Sequence, residues 1–207
     1  MERNEDECYL TYFTSDLHLG HENIIKLANR PFASVEEMDA ALLRNINETV
    51  GEEDELYILG DFTMGGNQET VRAYRAKIRC RHVCFVTGGH DRDYSGAKIF
   101  RSVRDYQELK TAYGKVILFH YPIEEWNGAY NGAVHLHGHI HSTGAYNAEN
   151  RKKLLRDRLP DGAVLADKTL PLRIYDVGVD ANGFKPVSLV EIMEYLGVSP
   201  VEKEEKE

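Results

Sequence analysis

Tyr12-Phe13-Thr14-Ser15-Asp16-Leu17-His18 is an apolar, β-prone run that ends abruptly in a carboxylate and, two residues later, an imidazole. On an extended backbone, side chains two apart share one side of the strand. The spacing therefore predicts that Asp16 and His18 aim an oxygen and a nitrogen at one point just past a strand end. That mixture of donors suits a divalent cation. Asp and His also decorate ordinary loops, so the reading turns on whether the pattern recurs.

It recurs along the chain. Leu56-Tyr57-Ile58-Leu59 runs into Gly60-Asp61, and Val83-Cys84-Phe85-Val86 runs into Gly88-Gly89-His90-Asp91. Val116-Ile117-Leu118-Phe119 runs into His120, and Ala133-Val134 runs into His135-Leu136-His137-Gly138-His139-Ile140-His141. Ligands of open α/β sheets collect outside the carboxyl ends of the strands, so these endings are expected to converge on one site.

The segments between the runs set the fold class. Glu22 to Asn29 reads as a short helix stopped by Arg30-Pro31, since proline disfavours helix at the residue before it. Ser34-Val35-Glu36-Glu37 has capping-box spacing and opens a helix with Val35, Met38, Leu42, Ile46 and Val50 on one face, ended at Gly51. Asn67 to about Arg79 reads as a third helix with Val71, Tyr74 and Ile78 inward. Strand and helix in alternation predict an α/β fold with parallel crossovers. Further on, Tyr106–Lys110 and Lys115–His120 flank Tyr113-Gly114 as a hairpin, and Ala133–His137 and Leu172–Val179 read as strands. Tyr146 to about Lys168 is polar and reads as a short surface helix plus loop. Its basic runs, Arg151-Lys152-Lys153 and Arg156-Asp157-Arg158, are expected to be solvated. Ser188-Leu189-Val190-Glu191 caps a last helix with Leu189, Ile192, Met193 and Leu196 inward.

The order Asp16-x-His18, Gly60-Asp61, Gly88-Gly89-His90-Asp91, His120, Gly138-His139-x-His141 resembles the calcineurin-like metallophosphoesterase superfamily. The resemblance implies a sandwich of two mixed β-sheets flanked by helices, in four layers. It also implies a hydrolase acting on a phosphodiester or nucleotide-like phosphate ester through a hydroxide bridging two divalent metal ions, Mn, Fe, Zn or Ni. Asp16, His18 and His141 would hold one metal, His120 and His139 the other, and Asp61 would bridge them. His90 would stabilise charge and protonate the leaving group, with Asp91 orienting it. His18 and His90 together lean toward diesterase activity within the family. One position departs: Gly89 stands where the family has Asn, which would leave the second metal with Asp61, His120, His139 and solvent, bound more weakly. That departure invites a second reading, a binding or scaffold protein on the same fold with weakened catalysis. A metal-dependent amidohydrolase fits less well, because its barrel opens with His-x-His.

Other candidates are open to two readings each. Arg30 is a candidate for a substrate phosphate or a plain salt bridge, and Trp126 with Tyr130 for stacking a ring at the pocket mouth or packing their own loop. His135 and His137 are expected to be structural; His21 lines the pocket or merely starts a helix.

The composition agrees with a single domain over residues 1–200 and a charged tail over 201–207. A net charge of −9 argues against general nucleic-acid or membrane-surface binding, which needs a basic face. No apolar run approaches the ~20 residues of a membrane span, and the acidic start lacks the apolar core of a secretory signal. Three cysteines fit a reducing cytoplasm. Cys80 and Cys84 are read as core thiols in preference to a zinc pair.

Overall fold

Three short parallel strands divide the apolar side chains between two cores. The computed structural model describes residues 9–155 and 170–201. The N-terminal acidic run, the Arg156-Asp157-Arg158 run and the tail from residue 202 lie outside the described residues. Strands β1 (Thr11–Thr14), β2 (Glu55–Leu59), β3 (His82–Val86) and β4 (Ser102–Arg104) are parallel, and β9 (Val187–Ser188) pairs antiparallel with β1, giving the order β4-β3-β2-β1-β9. Tyr12, Leu56, Ile58, Val83 and Phe85 face α1 (Glu22–Leu27), α2 (Val35–Thr49) and α3 (Gln68–Arg75). Their neighbours Phe13, Tyr57, Leu59, Cys84 and Val86 face the second sheet. Burying a large apolar side chain contributes roughly 1.5–3 kcal/mol, against a strand-propensity scale spanning only about 1 kcal/mol. Two-sided burial therefore holds these strands, and explains why their sequences run apolar without alternation.

The second sheet has the order β5-β6-β7-β8, with β5 (Tyr106–Thr111) and β6 (Gly114–Phe119) forming the expected hairpin, and β7 (Val134–His137) and β8 (Ile174–Asp176) parallel to β6. Val116, Leu118, Val134 and Leu136 meet the first sheet, closed off by Ile192, Met193 and Leu196 of α5 (Leu189–Leu196). The opposite face packs Ile117 and Ile174 against Trp126, Ala129, Leu155 and Leu172, and α4 (Gly144–Asn150) lies beside β8. Two mixed sheets between helical and loop layers form the predicted α/β sandwich. Among the described residues no helix is long and apolar enough to cross a membrane.

Ser34 and Ser188 cap α2 and α5 as read from sequence, each accepting from a backbone N–H three residues on. Only Ser188 completes the reciprocal box; Glu37 reaches past Ser34 to the Ala33 N–H. Helix α3 stops short of Arg79 because Arg75 folds back and donates to the carbonyls of Ile78 and Cys80. Cys80 and Cys84 are free and buried, Cys80 among the helices and Cys84 toward the second sheet, so they do not form a pair.

The two sheets meet where their parallel strands end. Ser15 bridges Gly178, the Val179 N–H donates to the Ser15 carbonyl, and the Gly138 N–H donates to the His120 carbonyl. Gly138 is required there: a Cβ at that position would run into Ser15 Oγ and Asp16 Oδ2.

Candidate metal centre

At this junction the strand endings deliver two clusters of ligand atoms. Asp16, His18 and His141 form one, Asp61, His120 and His139 the other, with the ligand atoms of each cluster within 4.8 Å of one another. These come from the segments after β1 and β7, and after β2, β6 and β7 respectively. One carboxylate oxygen faces both clusters: Asp61 Oδ2 lies 3.6 Å from His18 Nε2 and 3.4 Å from His120 Nε2. Its other oxygen accepts the His90 N–H at 2.9 Å, which turns Oδ2 toward the clusters.

The backbone that achieves this differs from the extended run expected at Asp16-x-His18. Asp16 (φ 58°) and His18 (φ 49°) are both left-handed, as are Asp61 (52°), His139 (74°) and His141 (46°). Strand alternation does not bring Asp16 and His18 together; two left-handed residues either side of Leu17 fold the chain over the strand end. Asp and His are among the side chains that tolerate this region best. The conformation is pinned by hydrogen bonds from the Asp16 N–H to the Gly60 carbonyl and from the His18 N–H to the Asp61 carbonyl.

Burial without partners marks the site electrostatically. Asp16 Oδ1, His18 Nε2 and His120 Nε2 are buried with no hydrogen-bond partner. Orphaned buried polar atoms are rare and call for an explanation, and a divalent cation supplies one for all three. Burial pushes the Asp16 carboxyl up to about 6 and the His18 imidazole down to about 3, so His18 stays a neutral electron-pair donor. For Asp61, burial acts upward but is outweighed by the His120 imidazole, 3.4 Å from its Oδ2, which holds it below the usual carboxylate range. A donor set of carboxylates and imidazoles without thiolate suits Mn²⁺, Fe²⁺, Zn²⁺ or Ni²⁺.

The calcineurin-like phosphoesterase family model matches residues 10–175, which takes in every strand ending just described. The chain belongs to the calcineurin-like phosphoesterase family. It is 34% identical to the uncharacterized protein MJ1445 of Methanocaldococcus jannaschii over 131 residues, 63% of this chain and 69% of that one. It is 29% identical to the Gene 66 protein of Mycobacterium phage L5 over 161 residues, 64% of this chain and 77% of that one. A solved structure, the protein of unknown function AQ665 from Aquifex aeolicus, superposes with a TM-score of 0.64 at 26% identity, covering 90% of this chain and 99% of that one. Calcineurin-like phosphoesterases are metal-dependent, and the two Asp/His clusters of this member can hold the metals.

Around the clusters, this phosphoesterase departs from several expectations. His90 is exposed, its ring 5.4 Å from that of His18. Asp91 does not orient it. Both Asp91 oxygens accept backbone N–H groups instead, from Asp61 (2.7 Å), Gly88 (2.8 Å) and Phe62 (3.2 Å), so Asp91 shapes the loop that presents Asp61. Arg30 takes the salt-bridge reading. It is buried, donates to the Asp16 and Leu17 carbonyls at 2.7 and 3.1 Å, and forms a two-pronged ion pair with Asp180 at 2.8 and 2.9 Å. Trp126 is buried with its N–H on the Ala133 carbonyl and Tyr130 packs on the same cluster, so the loop packs its own aromatics, and the two also line an open surface pocket with Glu125, Asn127 and Asn131.

His135 and His137 are fully buried in β7 and bond to carbonyls, including Ile117 and Gly138, as structural histidines. His21 starts α1 and lies beside His18, its Nδ1 3.4 Å from that of His18. One residue was missed by sequence reasoning. Asp180, in the 3₁₀ turn Val179–Ala181, lies 2.8 Å from His141 Nδ1. The Arg30 pair keeps Asp180 an acceptor, so the His141 proton sits on Nδ1 and Nε2 is left for a metal. Nothing near position 180 in the sequence signals this, because its partners lie 39 and 150 residues away.

Proposed function

We propose that this chain is a dinuclear metal-dependent phosphoesterase that hydrolyses a phosphodiester or nucleotide-like phosphate ester. The observation that carries the reading is the single Asp61 oxygen set between His18 Nε2 and His120 Nε2, two buried ring nitrogens with no hydrogen-bond partner. Asp16, His18 and His141 would hold one cation, His120 and His139 the other, with Asp61 shared. When bound, such a pair of cations supplies Lewis acidity, charge neutralisation at phosphoryl oxygens and an activated water.

The chain's own contribution is placement. Buried Asp16, His18 and His120 form the floor, while exposed His139 and His90 form the rim, so substrate reaches the site from the His90 side. His90 is anchored through its backbone N–H to Asp61, leaving its ring free to donate a proton to the leaving oxygen. The Asp91 carboxylate holds the loop's N–H groups in place, and the Arg30–Asp180 pair holds His141 and the Asp16–Leu17 peptide.

Elemental analysis beside a panel of phosphomonoesters and diesters with added Mn²⁺ tests this. Two equivalents of metal per chain and cleavage of bis(p-nitrophenyl) phosphate are expected. Asp61→Ala should lose both metals while the circular dichroism of the fold is kept. One full equivalent retained in Asp61→Ala would show that Asp61 is not the bridge, and no turnover across the metal-supplemented panel would sink the hydrolase reading.

A further inference from the structure

Residue 89 has no side chain, yet the space a side chain would enter there is taken. A Cβ built on Gly89 would stand 2.8 Å from Tyr121 Oη. The oxygen of an Asn or Asp side chain lies two bonds beyond Cβ, so the phenol oxygen sits within the volume such a head group would occupy. Gly89 itself is outside the left-handed region, so its backbone does not demand glycine. The missing side chain and the intruding hydroxyl are complementary.

Tyr121 is also held against the second cluster. Its ring lies edge-on to His120 at 4.7 Å and to His139 at 4.5 Å, the two imidazoles of that cluster. Its backbone carbonyl lies 3.2 Å from His135 Nε2, which fixes the peptide that follows His120. Among the described residues the Tyr121 hydroxyl has no hydrogen-bond partner, although its ring is clamped on two sides. A rigid phenol with an unspent oxygen beside two metal-facing imidazoles is poised to serve the ion they hold.

We propose that Tyr121 Oη completes the Asp61–His120–His139 cluster, supplying the oxygen that position 89 does not. The inference rests on the two-metal reading above. It replaces the expectation of a weakened second metal with a swap: the oxygen ligand has moved from residue 89 to residue 121.

The swap can be tested by metal titration and by colour. Wild type, Tyr121→Phe, Gly89→Asn and the double variant would be titrated with Mn²⁺ by calorimetry, and separately loaded with Fe³⁺ and scanned for the visible charge-transfer band of iron bound to phenolate. Phenylalanine keeps the ring against His120 and His139 and removes one atom. Tyr121→Phe should weaken the second equivalent tenfold or more, leave the first unchanged, and abolish the band.

Gly89→Asn alone should bring no gain, because its Cβ meets the phenol oxygen. In the double variant only Tyr121's ring carbon at 3.8 Å remains near that Cβ, so the carboxamide has room and should restore the second equivalent toward wild type without the band. This rescue also excludes a folding defect as the cause of the Tyr121→Phe loss. If Tyr121→Phe binds both equivalents as wild type does, or if wild type shows no band, the Tyr121 assignment is wrong while the two-metal reading stands. If wild type binds fewer than two equivalents, both fall.

Discussion

His90 touches Asp61 through its backbone and offers its ring to the open side of the clusters. Binding and chemistry should therefore separate on substitution. His90→Ala is expected to keep both metals and to lower kcat by roughly 10²–10⁴-fold, the usual scale for a general acid. Nitrophenyl esters need little protonation and should lose least; an equal loss across leaving groups would assign His90 to charge stabilisation alone. Residues such as His90 and the six Asp and His of the clusters were legible because they sit at or just past the ends of five apolar runs. Arg30, Asp180 and Tyr121 were not. Whether a guanidinium faces solvent or a buried carboxylate depends on a partner far along the chain, and local spacing carries no trace of it. Asp91 was misread for a related reason: a carboxylate next to a histidine in sequence is as well placed to gather backbone N–H groups as to hold the ring.

The longer elements were readable from their apolar runs and caps, and the shortest were not. Strand β4 has three residues and β9 two, and at β9 the Ser188 capping signal masks the strand pairing of the same residue. The 3₁₀ turn Val179–Ala181 matters more than its length suggests, since it carries Asp180 to both Arg30 and His141. Asp180→Asn keeps the shape and removes the charge that fixes the His141 tautomer. It should weaken the metal of the Asp16–His18–His141 cluster 10–100-fold, the usual cost of losing such a support, and leave the second metal nearly unchanged. Arg30→Ala, by contrast, strands Asp180 and should cost about 3–5 kcal/mol of stability in urea unfolding. Equal metal affinity in Asp180→Asn and wild type would remove Asp180 from the account of the site.

For the molecule as a whole, the clusters join segments from both sheets, so metal binding is linked to global stability. Chelation should lower Tm, and metal at a hundredfold excess over Kd should restore about 2.7 kcal/mol. The effect should fade in acid. Burial raises the Asp16 carboxyl to about 6 in the metal-free site, so below that pH the group is protonated and a cation must displace the proton. Affinity should fall about tenfold per pH unit for each proton displaced, and the metal-induced rise in Tm should be smaller at pH 5 than at pH 7. An equal rise at both would contradict the raised carboxyl. Of the eight non-glycine residues in left-handed backbone among the described residues, five belong to the two Asp/His clusters, and each such residue costs roughly 1–2 kcal/mol. A laboratory evolution campaign for heat tolerance run in EDTA would find that cost first. Exposed His139 (φ 74°) could become glycine there without opening a cavity, and the hardiest survivors would be those least able to hold metal. Only selection with the cation present would keep robustness and activity in the same lineage.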